Sequence, residues 1–163
     1  MREILFRGQT RKYGQKVNMA GEKLPGIWVY GGIFPGTGDH SIIYGGPKQS
    51  GLDIEKHVVY SETVGQFTGL TDKNGKKIFE GDVIKSDNGK QSAISVVKFG
   101  EYYPQMFYKM LDMYCPGRRH MLAKGFYAES VDKHEDMILF QTPCVEVIGN
   151  IHDNPELLEV DHV

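Results

Sequence analysis

Cysteine, tryptophan and long hydrophobic runs are all scarce in this sequence of 163 residues. The two cysteines, Cys115 and Cys144, lie far apart, which excludes a disulfide framework and a Cys-x-x-Cys site and leaves only a single bond open. No apolar run approaches the roughly 20 residues of a membrane-spanning helix. Residues 4–6 are the only apolar run near the start, and they do not predict a signal peptide. We therefore expect reduced thiols and a protein that acts in the cytoplasm, away from membranes.

The common catalytic and metal-binding motifs are also missing. The glycine-rich stretch 31–39 lacks the Gly-Lys-Ser/Thr of a phosphate loop. The loop that begins Asp-Lys-Asn-Gly carries Lys77 and Val83 where a calcium loop needs glycine and glutamate. His134 is followed four positions later by Ile138, where a zinc protease has a second histidine. The sequence therefore predicts no enzyme, no metal site and no cofactor.

Glycine, in contrast, is abundant, at 20 of 163 residues. Surplus glycine without a repeat period is typical of many tight turns between short strands. Predicted strands lie at 3–8, 27–30, 41–44, 57–60, 82–85, 93–99, 137–140 and 145–148. Short helices are predicted at 61–64 and after Asn154, and Asn74-Gly75 predicts a type I′ hairpin turn. We expect a single mainly-β domain over residues 1–163, a small partly open barrel with one or two short helices.

Charge is divided unevenly along the chain. Residues 1–128 hold 18 Lys/Arg and 12 Asp/Glu, whereas residues 129–163 hold one Lys and nine Asp/Glu. Such a division is compatible with a basic binding body and an acidic tail. It is equally compatible with surfaces of opposite sign that attract each other, within one fold or between copies.

The segment 98–127 combines basic residues with eight Phe/Tyr. Basic groups neutralise phosphates and aromatic rings stack on bases, so this segment is a candidate binding surface. The alternative is that its aromatics form core or an oligomer interface. Residues 106–113 fit a helix or a strand equally well. The candidate residues are Lys98, Tyr102, Tyr103, Tyr108, Lys109, Arg118, Arg119 and Lys124.

Five sequence blocks together carry a family resemblance. They lie at residues 2–8, 28–31, 65–70, 72–84 and 146–158. In this order and spacing they are similar to the YopX family, small proteins of phages and prophages. The resemblance implies a β-rich fold and transfers no catalytic residue, because the family has no assigned biochemical function. The aromatic-rich segment at about 100–140 matches none of the blocks, and the resemblance implies that it varies between members.

The block that contains Gly81-Asp82-Val83 resembles the strand entry of an SH3-like barrel, where the glycine permits a bend and the valine faces the core. Four glycines of the matched blocks, Gly65, Gly69, Gly75 and Gly81, are expected at turns. We therefore expect a non-enzymatic phage accessory protein that binds a host protein, a phage protein or a second copy of itself. The alternative is a nucleic-acid-binding module that uses residues 98–127.

Overall fold

The structure, a computed structural model, describes most of the chain. The described residues are 3–10, 26–34, 40–44, 56–87, 89, 92–103, 122–132, 136–138 and 144–159. The chain divides into two compact units, Met1–Gly69 and Leu70–Val163. The expectation of one domain stays a prediction.

Strands dominate the described residues, which also form two short 3₁₀ helices, at Ser61–Thr63 and Pro155–Leu158. The strands are β1 Phe6–Gln9, β2 Trp28–Phe34, β3 His40–Tyr44, β4 Lys56–Tyr60, β5 Gly65–Thr71, β6 Lys77–Phe79, β7 Asp82–Asp87, β8 Ser92–Tyr102, β9 Ala123–Ser130, β10 Asp136–Ile138 and β11 Val145–Asn150. They form two antiparallel sheets that do not close. The mainly-β, partly open class predicted from the sequence is confirmed.

The first unit is built on strands β4-β3-β2-β1-β5, in that order. An isolated bridge from Thr10 to Val59 also joins the end of β1 to β4. Val59 and Ile43 are fully buried, and a Cβ on Gly8 would lie 3.0 Å from Val59. Glycine at this position therefore lets β1 approach the core of the unit closely.

The second unit contains a five-stranded sheet in the order β10-β9-β8-β7-β11. Four consecutive strands form a meander, and the last strand returns to pair with the first, as in SH3-like barrels. The buried core cluster comprises Ile78, Ile84, Val97, Ala128, Val145 and Val147. Gly81 has a φ of +81° and Val83 is fully buried, which confirms the predicted bend and the predicted core position.

The hairpin between β5 and β6 differs from the predicted type I′ turn. The Gly75 N–H donates to the carbonyl oxygen of Asp72, and the Asp72 N–H donates to the carbonyl oxygen of Lys76. This pattern belongs to a three-residue loop in which Gly75, with φ +81°, takes the left-handed position. The Asp72 carboxylate shifts the turn by one residue, because it accepts the N–H groups of Asn74 and Lys76.

Two further expectations need correction. Gly65 and Gly69 lie within β5 rather than at turns, although Gly69 has a φ of +89°. Strand β9 was not predicted, because its Lys-Gly and Ala-Glu pairs dilute the strand signal. The predicted terminal helix is confirmed, with Asn154 at its N-cap position and Pro155 at its start; the Asn154 amide donates to Glu156 and makes no side-chain cap bond. Residues 106–113, predicted as helix or strand, lie outside the described residues.

Candidate functional site

The candidate residues from the sequence fall on the outer half of the β8–β9 hairpin. We call this part, residues 98–103 and 122–127, the distal arm. Lys98, Tyr102, Tyr103 and Lys124 lie on it. Tyr108, Lys109, Arg118 and Arg119 lie outside the described residues. The distal arm is therefore the part of the predicted surface that the structure positions.

The register of β8 and β9 sorts the arm into two faces. Residues directly opposite each other in an antiparallel pair share a face, and successive residues of one strand alternate between faces. Lys98 lies opposite Tyr127, and Glu101 lies opposite Lys124. Lys98 and Lys124 therefore project from opposite faces, and the sequence-predicted basic surface is divided between them.

One side of the arm, which we call the closed face, is occupied by internal contacts. The ring of Tyr102, only 8 % exposed, stacks on the ring of Tyr127 with centroids 5.0 Å apart. A Cβ on Gly100 would lie 3.8 Å from the Tyr127 ring, so the glycine gives this ring space beside it. The Lys98 ammonium forms an ion pair with Glu129. On this face Tyr102 is therefore buried against the half-buried Tyr127, and Lys98 is paired with Glu129.

The other side, which we call the open face, continues a row of core residues outward. Val97 and Ala128 lie opposite each other and belong to the buried core. The next pair outward on the same face is Phe99 with Phe126, whose rings meet edge to face at 5.0 Å. Phe99 is nevertheless 49 % exposed. The apolar row therefore extends from the core into solvent.

Beyond the phenylalanines, the open face carries a charged pair and then a second apolar pair. Glu101 and Lys124 lie opposite each other. Continuing the register by one position places Tyr103 opposite Leu122, which are 50 % and 46 % exposed. Phe99, Tyr103 and Leu122 are the strongly exposed large hydrophobic residues among those described in the second unit. Phe99 lies on the open face, and the extended register assigns Tyr103 and Leu122 to the same face.

Sequence reasoning found Tyr103 and Lys124 but not the other four residues of the open face: Phe99, Glu101, Leu122 and Phe126. Phe99 lay in the strand predicted at 93–99, but the burial pattern that leaves both Lys98 and Phe99 exposed after the buried Val97 is visible only in the structure. Phe126, which lies opposite Phe99, belonged to no predicted strand, since β9 itself was not predicted. Pairing between strands is what assembles the face.

The matched block around Asp72 has a structural explanation. The Asp72 carboxylate is buried and accepts N–H groups from Asn74, Lys76 and, across the fold of the unit, Val147 at 3.1 Å. Burial of the carboxylate raises the pKa of Asp72. The three N–H donors and the nearby charge of Lys76 have the opposite and larger combined effect, so the pKa lies below its ordinary value. The Asp72 carboxylate therefore links the hairpin to β11 by hydrogen bonds, and its acceptor capacity is used within the fold.

Two general features complete the description of the site. Among the described residues, no group of three or more His, Cys, Asp or Glu side chains is placed to hold a metal ion. No helix within those residues is long and apolar enough to cross a membrane.

The family is decided by comparison with known proteins. The family model described as "YopX protein" matches residues 36–159, about three quarters of the sequence. The chain belongs to the YopX family. This match covers the blocks at 65–70, 72–84 and 146–158, whereas the blocks at 2–8 and 28–31 lie outside its range. It also covers the whole distal arm.

A solved structure also resembles this YopX chain. The crystal structure of protein EF1440 from Enterococcus faecalis is similar over 98 % of this chain and 100 % of that one, with 21 % sequence identity and a TM-score of 0.41. A search of the curated proteins found no match. Family membership therefore establishes kinship, and it assigns no biochemical activity to this chain.

Proposed function

We propose that this protein is a non-enzymatic accessory protein of a phage or prophage, which binds another protein in the bacterial cytoplasm through the open face of its distal arm. The observation that carries the proposal is the exposure of Phe99 directly outside the buried Val97–Ala128 pair. Large apolar side chains that cluster on one exposed face mark interaction sites. Membership of the YopX family, whose relatives occur in phages and prophages, supports the cellular setting.

The chemistry of the open face is that of a protein interface. Aromatic residues dominate the binding energy of protein interfaces, because they bury large areas with few rotatable bonds. The open face offers Phe99, Phe126 and Tyr103 together with Leu122, and its charged groups are limited to Glu101 and Lys124. Four apolar side chains with a single pair of opposite charges give the mainly apolar composition expected of an interface core.

The alternative, binding of nucleic acid, receives less support from the arm. A nucleic-acid surface needs basic groups on one side and aromatic rings that are free to stack on bases. Lys98 and Lys124 lie on opposite faces, and Glu129 neutralises Lys98. The Tyr102 ring is buried against Tyr127. The described residues of this segment therefore do not combine the two requirements.

The proposal is tested by comparing two charge substitutions in a capture experiment. Phe99→Glu places a carboxylate on the open face, whereas Phe34→Glu places one on an exposed phenylalanine (61 % exposed) of the first unit. Tagged wild-type and variant proteins are incubated with lysate of a bacterial host, and bound proteins are quantified by mass spectrometry. We expect a partner that the wild type and Phe34→Glu retain and that Phe99→Glu loses by at least about tenfold.

The opposite outcome is equally clear. Equal capture by all three proteins, or no reproducible capture by a wild type that is also monomeric in solution, would contradict binding through the open face. Fluorescence anisotropy with labelled single-stranded DNA, duplex DNA and RNA at low and high salt tests the alternative. Salt-sensitive binding that is lost when Lys98 and Lys124 are reversed in charge would favour the nucleic-acid function instead.

A further inference from the structure

The residues of the open face are arranged in three successive rows. An apolar row, Phe99 with Phe126, is followed by a charged row, Glu101 with Lys124. A second apolar row, Tyr103 with Leu122, comes next. Rows on one face of a hairpin are about 7 Å apart, since each is two residues beyond the last. Apolar contact area thus flanks a single acid–base pair on both sides.

This arrangement has the charge complementarity that a twofold symmetric contact requires. In such a contact the same patch serves both partners, so the patch must be complementary to itself. A twofold operation that places β8 of one copy against β9 of the other brings Glu101 opposite Lys124 of the second copy. The same operation brings Phe99 opposite Phe126 and Tyr103 opposite Leu122 of that copy. Every contact then joins opposite charges or apolar surfaces.

We propose that the occupant of the open face is a second copy of this chain, which packs its own open face against the first. This inference rests on the proposed function and names the partner. The apolar side chains on both sides of the charged pair form most of the contact, and homodimer interfaces are more apolar than transient ones. The two charged side chains on each copy fix the orientation, because any contact that places like charges together is disfavoured.

A mixing experiment separates contacts between copies from effects within one copy. Glu101→Lys makes the charged row entirely positive, and Lys124→Glu makes it entirely negative. Each variant alone then faces a copy of the same sign, whereas an equal mixture pairs opposite signs. Masses are measured by sedimentation equilibrium over a range of protein concentrations, and thermal unfolding of each variant monitors folding.

We expect the wild type to be a dimer and Phe99→Glu to weaken association by at least about tenfold. Each charge variant alone should be weakened, while their equal mixture should recover a dimer that contains one copy of each. A mixture that remains monomeric although the wild type dimerises would overturn the assigned pairing. A wild type that is monomeric at every concentration would overturn the second copy as occupant.

The capture experiment distinguishes this failure from failure of the proposed function. A monomeric wild type that still captures a different protein, in a manner that Phe99→Glu abolishes, leaves the interface in place and contradicts only the identity of its occupant. A monomeric wild type that captures nothing contradicts both.

Discussion

The second unit contains two exposed ends of hairpins, the Asp72 turn and the distal arm, and they are built in opposite ways. At the Asp72 turn a buried carboxylate collects three backbone N–H groups, one of them from Val147 in a distant strand. In the distal arm an apolar row leaves the core at Val97 and becomes half exposed at Phe99. At the Asp72 turn the polar group is used inside the fold, whereas at the distal arm apolar side chains are exposed to solvent.

This difference indicates which features of the sequence serve folding and which serve function. A buried acceptor whose lone pairs are satisfied by backbone donors stabilises the fold and leaves little for a ligand. An exposed aromatic row adds little to the stability of one chain but supplies binding surface. The recognisable block around Asp72 is therefore structural, whereas the less distinctive sequence of the arm carries the proposed interface.

Between these two hairpin ends, the largest expected effect comes from removing the carboxylate at the Asp72 turn. Asp72→Ala leaves three backbone N–H groups without their acceptor, and we expect a loss of about 3 kcal/mol in the free energy of unfolding. Urea denaturation measures it. Asp87→Ala is the matched control, because the Asp87 carboxylate accepts only the exposed N–H of Gly89 among the bonds seen here. A loss at Asp72 no larger than that at Asp87 would contradict the use of this carboxylate inside the fold.

A smaller effect is expected from two glycine substitutions, one in β11, to which the Asp72 turn is hydrogen-bonded, and one in the distal arm. A Cβ on Gly149 would lie 2.5 Å from the Asn154 side-chain oxygen and 2.9 Å from Leu157. A Cβ on Gly125 in the arm would meet no atom within 4 Å. Gly149→Ala should therefore cost about 2 kcal/mol of stability, whereas Gly125→Ala should change it by less than about 1 kcal/mol. Denaturant midpoints that fall equally would show that the arm is packed as tightly as β11.

The smallest expected effect is a pH dependence that resides in Asp72. Because the folded pKa lies below the value of about 3.9 in the unfolded chain, its contribution is complete above that pH. The contribution is lost as the pH falls through the folded pKa. Between about pH 6 and about pH 3, the wild type should lose more stability than Asp72→Asn, which has no charge to protonate. If urea denaturation shows that the wild type and Asp72→Asn lose the same free energy of unfolding, another group causes the pH dependence.

Much of the fold follows from local sequence patterns. The β-prone runs at 41–44, 57–60 and 93–99 each coincide with a strand, because alternation and β-branched residues indicate strands directly. The turn at Asn74-Gly75 was placed correctly, and its type was not. The side chain of Asp72 decides the type through hydrogen bonds, and one of them reaches Val147, 75 residues away in the chain. Local propensity contains no information about such a contact.

The candidate surface was predicted less completely, for the same reason. Basic and aromatic residues near 98–127 suggested one surface, but period-two alternation places Lys98 and Lys124 on opposite faces. Phe99 was assigned to a strand, and nothing in that assignment indicated exposure. Its exposure depends on where the core row ends, and the core row is completed by Ala128 from β9. Pairing of distant strands therefore decides which side chains meet.

The central claim is that the apolar row of β8 changes from core to exposed surface between Val97 and Phe99. The most direct test compares the thermal unfolding of Val97→Glu with that of Phe99→Glu, at a concentration where the chain is monomeric. A charge at the fully buried Val97 should abolish the cooperative transition or lower stability by more than about 4 kcal/mol. A charge at Phe99 should leave a cooperative transition close to that of the wild type. Equal damage from both substitutions would place Phe99 in the core and contradict an open face on the distal arm.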